Sequence, residues 1–185
     1  MDLYNENDIL KLLRSDDQML QKKAFGNVVS YYSEKLYWHI RKMVLSHDDA
    51  NDILQNTFIK AWMNIDSFRG ESKLSTWLYK ISINECITFL NRQKMNSQVS
   101  LDEADAVLIN KLESDEYFDG DEIQLKLQQA ILTLPEKQRA VFNLRYYDEM
   151  PYEEMSEIMG TSVGALKASY HHAAKKIEDF LTSRD

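Results

Sequence analysis

Apolar residues recur along most of this chain at steps of three and four, the spacing that gathers them on one face of an α-helix. The clearest run lies between Asp48 and Ile65, where Ala50, Ile53, Leu54, Phe58, Ala61, Trp62 and Ile65 form a stripe. Asp48 and Asp49 stand at its start, where carboxylates meet the positive end of the helix dipole. Upstream, Ala24 to Val44 carries Phe25, Val28, Val29, Tyr32, Leu36, Ile40 and Val44 at similar spacing. Downstream of a loop at 66–72, which contains Gly70, Ser75 to Asn91 carries Leu78, Ile81, Ile83, Cys86, Ile87, Phe89 and Leu90. These segments predict three or four helices around one core.

From Met95 to Asp121 the pattern dissolves into Asn, Ser, Gln, Asp and Glu with scattered apolar positions. Such a composition buries too little to offset the entropy of ordering, so it reads as a linker with at most a short helical turn. Periodicity returns at Ile123, Leu127, Ile131 and Leu132, stops at Leu134 and Pro135, and resumes from Arg139 to Tyr147. Pro151 to Met159, a Gly160-Thr161-Ser162 turn and Val163 to Leu181 complete the chain, and no internal repeat relates its halves. The expected fold is all-α: two helical domains, 1–94 and 123–185, joined by an acidic flexible linker, 95–122.

Composition narrows the class. In 185 residues there are five glycines and two prolines, too few turn formers for a many-stranded fold. The single cysteine, Cys86, excludes an internal disulfide, a cysteine-type zinc site and a CxxC redox pair, and points to a cytoplasmic protein. Met1 to Leu13 carries Asp2, Glu6 and Asp8 and lacks the basic start and apolar run of a signal peptide; no stretch approaches a membrane span. A soluble protein is expected.

The net charge of −8 argues against nucleic-acid binding until its distribution is considered. Residues 1–94 hold 13 basic and 12 acidic side chains, 95–122 hold one and nine, and 123–185 hold eight and nine. The acidic excess therefore sits in the linker. Lys73 to Lys94 has four basic groups against Glu85 alone, and Ser162 to Ile177 has Lys167, Lys175 and Lys176 with no acid. Two basic surfaces remain for an anionic partner.

The most specific local signal runs from Met150 to Leu166. Pro151 suits a first helical turn, Gly160 offers a left-handed cap, and Ser162 is a suitable N-cap for the next helix. With Met155, Ile158, Val163 and Leu166 facing inward, the segment matches a helix-turn-helix, whose second helix enters the DNA major groove. The alternative is an ordinary helical hairpin in a core; the basic, acid-free second helix favours DNA. A second constellation, Phe68 to Lys80, interleaves aromatics with Arg69, Lys73 and Lys80 beside Gly70. Rings that stack on unpaired bases and cations that track phosphates have this composition. Its alternative is that Trp77 and Tyr79 are core and the cations solvated.

Together these residues resemble the extracytoplasmic function (ECF) group of the sigma-70 family of bacterial transcription initiation factors, over nearly the whole chain. Asp49 to Trp62 looks like the family's polymerase-binding helix, Phe68 to Asn84 like its −10-reading and melting segment, and Leu134 to Arg139 with the helix-turn-helix like its −35-reading domain. The resemblance implies docking on core RNA polymerase, with Asp49, Asp52, Gln55, Phe58 and Trp62 on the β′ clamp helices and the β flap as a further polymerase contact. Phe58 and Trp62 fall on the apolar stripe and should mainly shape the core; Asp52 and Gln55 are the better direct contacts. It implies −10 DNA contacts from Phe68, Arg69, Gly70, Ser72, Lys73, Thr76, Trp77, Lys80, Asn84 and Arg92, with a flipped base captured at the loop. It implies −35 contacts from Ser162, Val163, Gly164, Ala165, Lys167, Ala168, His171, His172 and Lys175. Promoter DNA is the nucleic-acid partner, an anti-sigma factor is a further partner of the kind this family uses, and no small-molecule substrate is implied.

The chain departs from the family pattern where Ser169, His172 and Ala174 stand at positions that are commonly basic. Fewer phosphate contacts, and more reliance on tethering by polymerase, are the expected consequence. His171 and His172 are adjacent, so they point about 100° apart on a helix and do not chelate from one face. Asp16-Asp17 and Glu153-Glu154 read as helix-start or solvated charges. Without a nucleophile elbow, phosphate-binding glycine loop or zinc motif, neither an enzyme nor a metal or other cofactor is expected. The competing readings are a stand-alone helix-turn-helix regulator without polymerase binding, and a helical adaptor with protein partners alone. The acidic linker itself is either simply solvated, or laid against the basic surfaces in the free protein, or, as the resemblance implies for the polymerase complex, placed along the RNA path where its charge mimics nucleic acid.

Overall fold

The computed structural model describes residues 6–68, 70–96 and 122–183. Among them every regular element is helical: α1 Glu6–Leu13, α2 Gln18–Val44, α3 His47–Met63, a short 3₁₀ turn Ile65–Ser67, α4 Leu74–Asn96, α5 Glu122–Leu132, α6 Glu136–Tyr146, α7 Tyr152–Met159 and α8 Val163–Thr182. The expected linker lies almost wholly outside the described residues; α4 runs two residues into its range and α5 begins at its last position.

Local chemistry accounts for most boundaries. Asp17 caps α2, accepting from the Met19 N–H at 2.8 Å, and Ser46 caps α3 by accepting from the Asp49 N–H. These caps satisfy donors that the first turn leaves unpaired. The helix α2 ends at Leu45, held at φ +66° while its side chain is buried against Leu132 of α5. A left-handed leucine costs about 1–2 kcal/mol, and burial of the side chain offsets it. Several boundaries differ from the sequence expectation. Pro151 stands at the N-cap of α7 rather than inside it. The helix α1 was not expected at all; it is held by burial of Ile9 and Leu13 and by Glu6, whose Oε1 accepts the Leu74 N–H at 2.7 Å. A helix of eight residues is too short to hold by itself, so α1 forms because Ile9 and Leu13 pack, not because it propagates alone.

The helices α2, α3 and α4 bury the anticipated stripes: Val28, Leu36 and Ile40 from α2, Ala50, Ile53 and Phe58 from α3, Leu74, Leu78, Ile83, Cys86 and Leu90 from α4. The core does not stop there. Val141 and Leu144 of α6, Met155 and Ile158 of α7, and Leu166 of α8 belong to the same apolar cluster, because α6 packs on α2 and α4 and α7 packs on α4. Ala130, Ile131, Phe142, Ala173 and Ile177 form a second cluster inside the C-terminal bundle. The two halves are thus docked on each other.

Candidate nucleic-acid and polymerase interfaces

The helix α3 presents two different faces. Ala50, Ile53, Phe58 and Ala61 are buried, whereas Asp52 and Gln55 are exposed and Asp49 half-buried. Trp62, also half-buried, leans on Phe25 with ring centroids 5.0 Å apart, and Phe25 meets Phe58 edge-on at 6.4 Å. Between α2 and α3 runs an open apolar cleft of about 650 Å³ lined by Phe25, Val29, Leu54, Phe58, Ile59 and Trp62, with Asp52 and Gln55 at its margin. Ile59 is 49% exposed. It was not among the sequence candidates, and its only signal was an isoleucine beside the apolar stripe rather than on it.

The loop before α4 is packed rather than splayed. Phe68 is buried and its ring lies 4.8 Å from the half-buried Trp77. Arg69 is outside the described residues. Gly70 adopts φ +71°, and a Cβ there would come within 2.7 Å of the Arg14 guanidinium. The backbone angle calls for glycine, whereas the guanidinium ends a flexible side chain that can shift aside. Ser72 is half-buried. Along α4, Thr76, Lys80 and Asn84 follow one another at four-residue steps; Lys80 and Asn84 are exposed, as is Arg92 near the helix end. Lys80 and Arg92 have no carboxylate partner among the described residues.

Three lysines on or beside α3 and α4 are paired with carboxylates. Lys60 binds Glu85, Lys94 binds Glu136 of α6, and Lys73 Nζ lies 3.3 Å from Glu154 Oε2 of α7. Thr76, 2% exposed, donates its hydroxyl to Glu154 Oε1 at 3.2 Å. Glu154 is thus neither a plain helix-start charge nor a solvated one, because docking of α7 on α4 brings it against residues 78 and 81 positions away. Further along the same interface, fully buried His39 meets Asp148 at 2.7 Å from Nδ1 to Oδ2, and Lys42 sits over the Tyr147 ring at 4.4 Å. Burial pushes Lys42 below the usual lysine range although Asp148 pulls it back. It pushes the Tyr79 hydroxyl up, with Asp148 and Glu154 adding to the effect. For Glu136, burial acts upward, but hydrogen bonds from Lys94 and the backbone and the charges of Lys94 and Arg139 outweigh it and hold the carboxyl below the usual range.

The turn between α7 and α8 follows the expected chemistry. Gly160 sits at φ +63°, ψ 34° and returns its N–H to Ser156 O; Ser162 accepts from the Ala165 N–H at 3.2 Å. Met155, Ile158 and Leu166 are buried and Val163 is half-buried. Ser162, Gly164, Ala165, Lys167, Ala168, His171, His172 and Lys175 are all exposed, so the beginning of α8 and its outer face are free of the core. Tyr152 lies between two cations, Lys167 at 5.7 Å and Arg145 at 5.1 Å. Arg145 was missed because it sits in α6, outside the helix-turn-helix signal. Among the described residues no cluster of three or more His, Cys, Asp or Glu side chains can hold a metal, and no helix is long and apolar enough to cross a membrane.

These surfaces coincide with the segments that match known proteins. Residues 28–95 match Sigma-70 region 2 and residues 124–177 match Sigma-70, region 4. The chain is 32% identical over 176 residues to the ECF RNA polymerase sigma factor SigW of Bacillus subtilis, covering 91% of this chain and 92% of that protein. It is 31% identical over 170 residues to the ECF RNA polymerase sigma-E factor of Haemophilus influenzae, covering 88% and 89%. In fold it is similar to CnrH, solved in complex with the cytosolic domain of CnrY (TM-score 0.68, 20% identity, 97% of this chain and 99% of that one). It is also similar to RpoE of Bartonella quintana, solved with the anti-sigma factor NepR (TM-score 0.65, 21% identity, 88% and 99%). An all-helical chain with a helix-turn-helix behind a basic, aromatic α4, matched along nine tenths of its length by such factors, belongs to the ECF sigma factors of the sigma-70 family, which bind core RNA polymerase and direct it to promoters.

Proposed function

We propose that this sigma factor grips polymerase with the α2–α3 cleft, reads and melts the −10 element with the loop before α4 and the exposed face of α4, and reads the −35 element with the start of α8. The polymerase role rests above all on the α3 geometry. Asp52 and Gln55 stand exposed on the rim of an apolar cleft whose floor is Phe58, an arrangement suited to a helical partner that inserts apolar side chains and meets charge at the edge. Trp62 lines the same cleft from a half-buried position, and Asp49, also half-buried, stands in the first turn of the same helix. Lys80, Asn84 and Arg92 offer α4's cationic and amide groups to a strand, with Phe68 and Trp77 as the aromatic floor. The exposed Ser162, Gly164, Ala165, Lys167, Ala168 and His171 lie where a recognition helix meets base edges, and His172 and Lys175 lie farther along it. Work of this kind takes place in the cytoplasm, beside polymerase and chromosome, and needs no catalytic group of the factor's own. An anti-sigma factor is a fitting regulator, since a fold relative was solved with one.

The test is reconstitution. Core polymerase plus this protein should produce transcription starts that neither gives alone. Asp52→Arg with Gln55→Ala should abolish co-elution with polymerase while helix content stays unchanged. DNA binding at a −35 duplex without any polymerase association would favour the stand-alone regulator.

A further inference from the structure

The C-terminal bundle meets the start of α4 at Lys73 and Thr76, two −10 candidates that adjoin the exposed face given above to the −10 strand, and the inference here rests on that assignment. Glu154 places one carboxylate oxygen 3.2 Å from the Thr76 hydroxyl and the other 3.3 Å from the Lys73 ammonium. A hydroxyl and an ammonium held together this way are what a phosphodiester engages through its two non-bridging oxygens. We propose that Glu154 is an intramolecular stand-in for a promoter phosphate, so that docking of α7 on α4 and capture of the −10 strand exclude each other and the free factor is self-inhibited.

Three features of the interface fit a contact made to be released. Beside the shared apolar core it carries polar contacts at several separate points: Lys73 and Thr76 on Glu154, His39 on Asp148, Lys94 on Glu136. Interfaces between domains that move are of this mixed kind. Arg139, buried in α6, donates across the interface to Met43 O at 2.9 Å, yet also donates within its own half to Leu132 O at 2.6 Å and Leu134 O at 3.3 Å. Separation therefore removes one of these acceptors and leaves the guanidinium held by two. Finally, geometry demands that the contact open. A compact chain of this length has a radius of gyration of about 16 Å, hence a diameter of about 40 Å, whereas −35 and −10 elements lie about 25 base pairs, or about 85 Å, apart along a duplex. The docked form cannot serve both elements, so it belongs to the protein before promoter engagement.

The experiment compares free full-length protein carrying Glu154→Gln, Glu154→Asp or Glu153→Gln for binding to a short fluorescent mixed-sequence DNA single strand, with small-angle scattering on the same samples. Glu153 is the exposed neighbour, so its variant carries the same charge change without the contact. Glu154→Gln should bind about two- to fivefold more tightly than wild type and show a larger radius of gyration. Glu154→Asp, which keeps the charge but draws it back, should move in the same direction, and Glu153→Gln should match wild type. In parallel, Lys73→Ala is assayed for −10 opening in the reconstituted holoenzyme. If opening is impaired but the Glu154 and Glu153 variants bind single strands alike, the −10 assignment stands and the self-inhibitory contact is refuted. If opening is normal, the −10 assignment of this face fails and takes the proposal with it.

Discussion

Replacing Arg139 by alanine removes a guanidinium that ties three helix ends together. The side chain is 4% exposed and donates to Met43 O in the last turn of α2, to Leu132 O at the end of α5 and to Leu134 O just beyond it. Carbonyls at helix ends have no intrahelical donor, so they depend on such a group or on water. Two of the three contacts are short, and a hydrogen bond from a charged donor contributes about 1.5–3 kcal/mol net. Water entering the vacated space restores part of this, which leaves a loss of about 3 kcal/mol for the alanine variant. Lysine can reach one carbonyl at a time and should recover about a third of that. Urea unfolding followed by far-ultraviolet circular dichroism reads the difference: with a slope of about 2 kcal/mol per molar, the midpoint should fall by about 1.5 M for alanine and about 1 M for lysine. A fall under about 0.3 M for alanine, or a lysine variant as stable as wild type, would refute the argument that the guanidinium fork joins these ends.

Other perturbations test single contacts. Ser162→Ala should cost about 1 kcal/mol, because the Ala165 N–H loses its acceptor; an unchanged unfolding midpoint would show that the cap contributes nothing. Lys167→Ala and Lys175→Ala should each reduce the salt dependence of −35 duplex binding by about one counterion, and a titration across salt with unchanged slope would take these lysines off the phosphates. Glu136 is held below the usual carboxylate range, so its contribution is fully present above its unfolded pKa of about 4.3 and disappears as pH falls through the folded value. Stability measured between neutral pH and strong acid should therefore fall less steeply below that point in Glu136→Gln than in wild type; equal slopes would exclude the Lys94 pair as a source of acid sensitivity.

What could be read from the sequence was what local periodicity and turn chemistry encode. The stripe of α3, the cap at Gly160 and the start of α8 at Ser162 appear in the structure where the residues pointed. The exposure of Asp52 and Gln55 and the burial of Phe58 followed from the same stripe. The helix α2 begins at Gln18 rather than Ala24 because Asp17 caps it there, ahead of the buried stripe, and its first apolar residues, Met19 and Leu20, stay exposed. Illegible features all depend on partners far away in the chain. The helix α1 exists through its packing and its cap on Leu74, Ile59 matters only once α3 packs beside α2 to form the cleft it lines, and Glu154 looks like any first-turn carboxylate until α7 meets α4. The question of whether the linker covers a basic surface concerns residues outside those described.

The position of Cys86 has a practical consequence. The chain's only cysteine faces the core from α4, wholly buried, and burial pushes its thiol far above the range in which a thiolate forms near neutrality. Thiolates, not thiols, react with alkylating agents and oxidants, so this sulfur is shielded both sterically and electronically for as long as α4 keeps its place. Its alkylation rate is therefore a built-in clock for excursions of α4 out of the core.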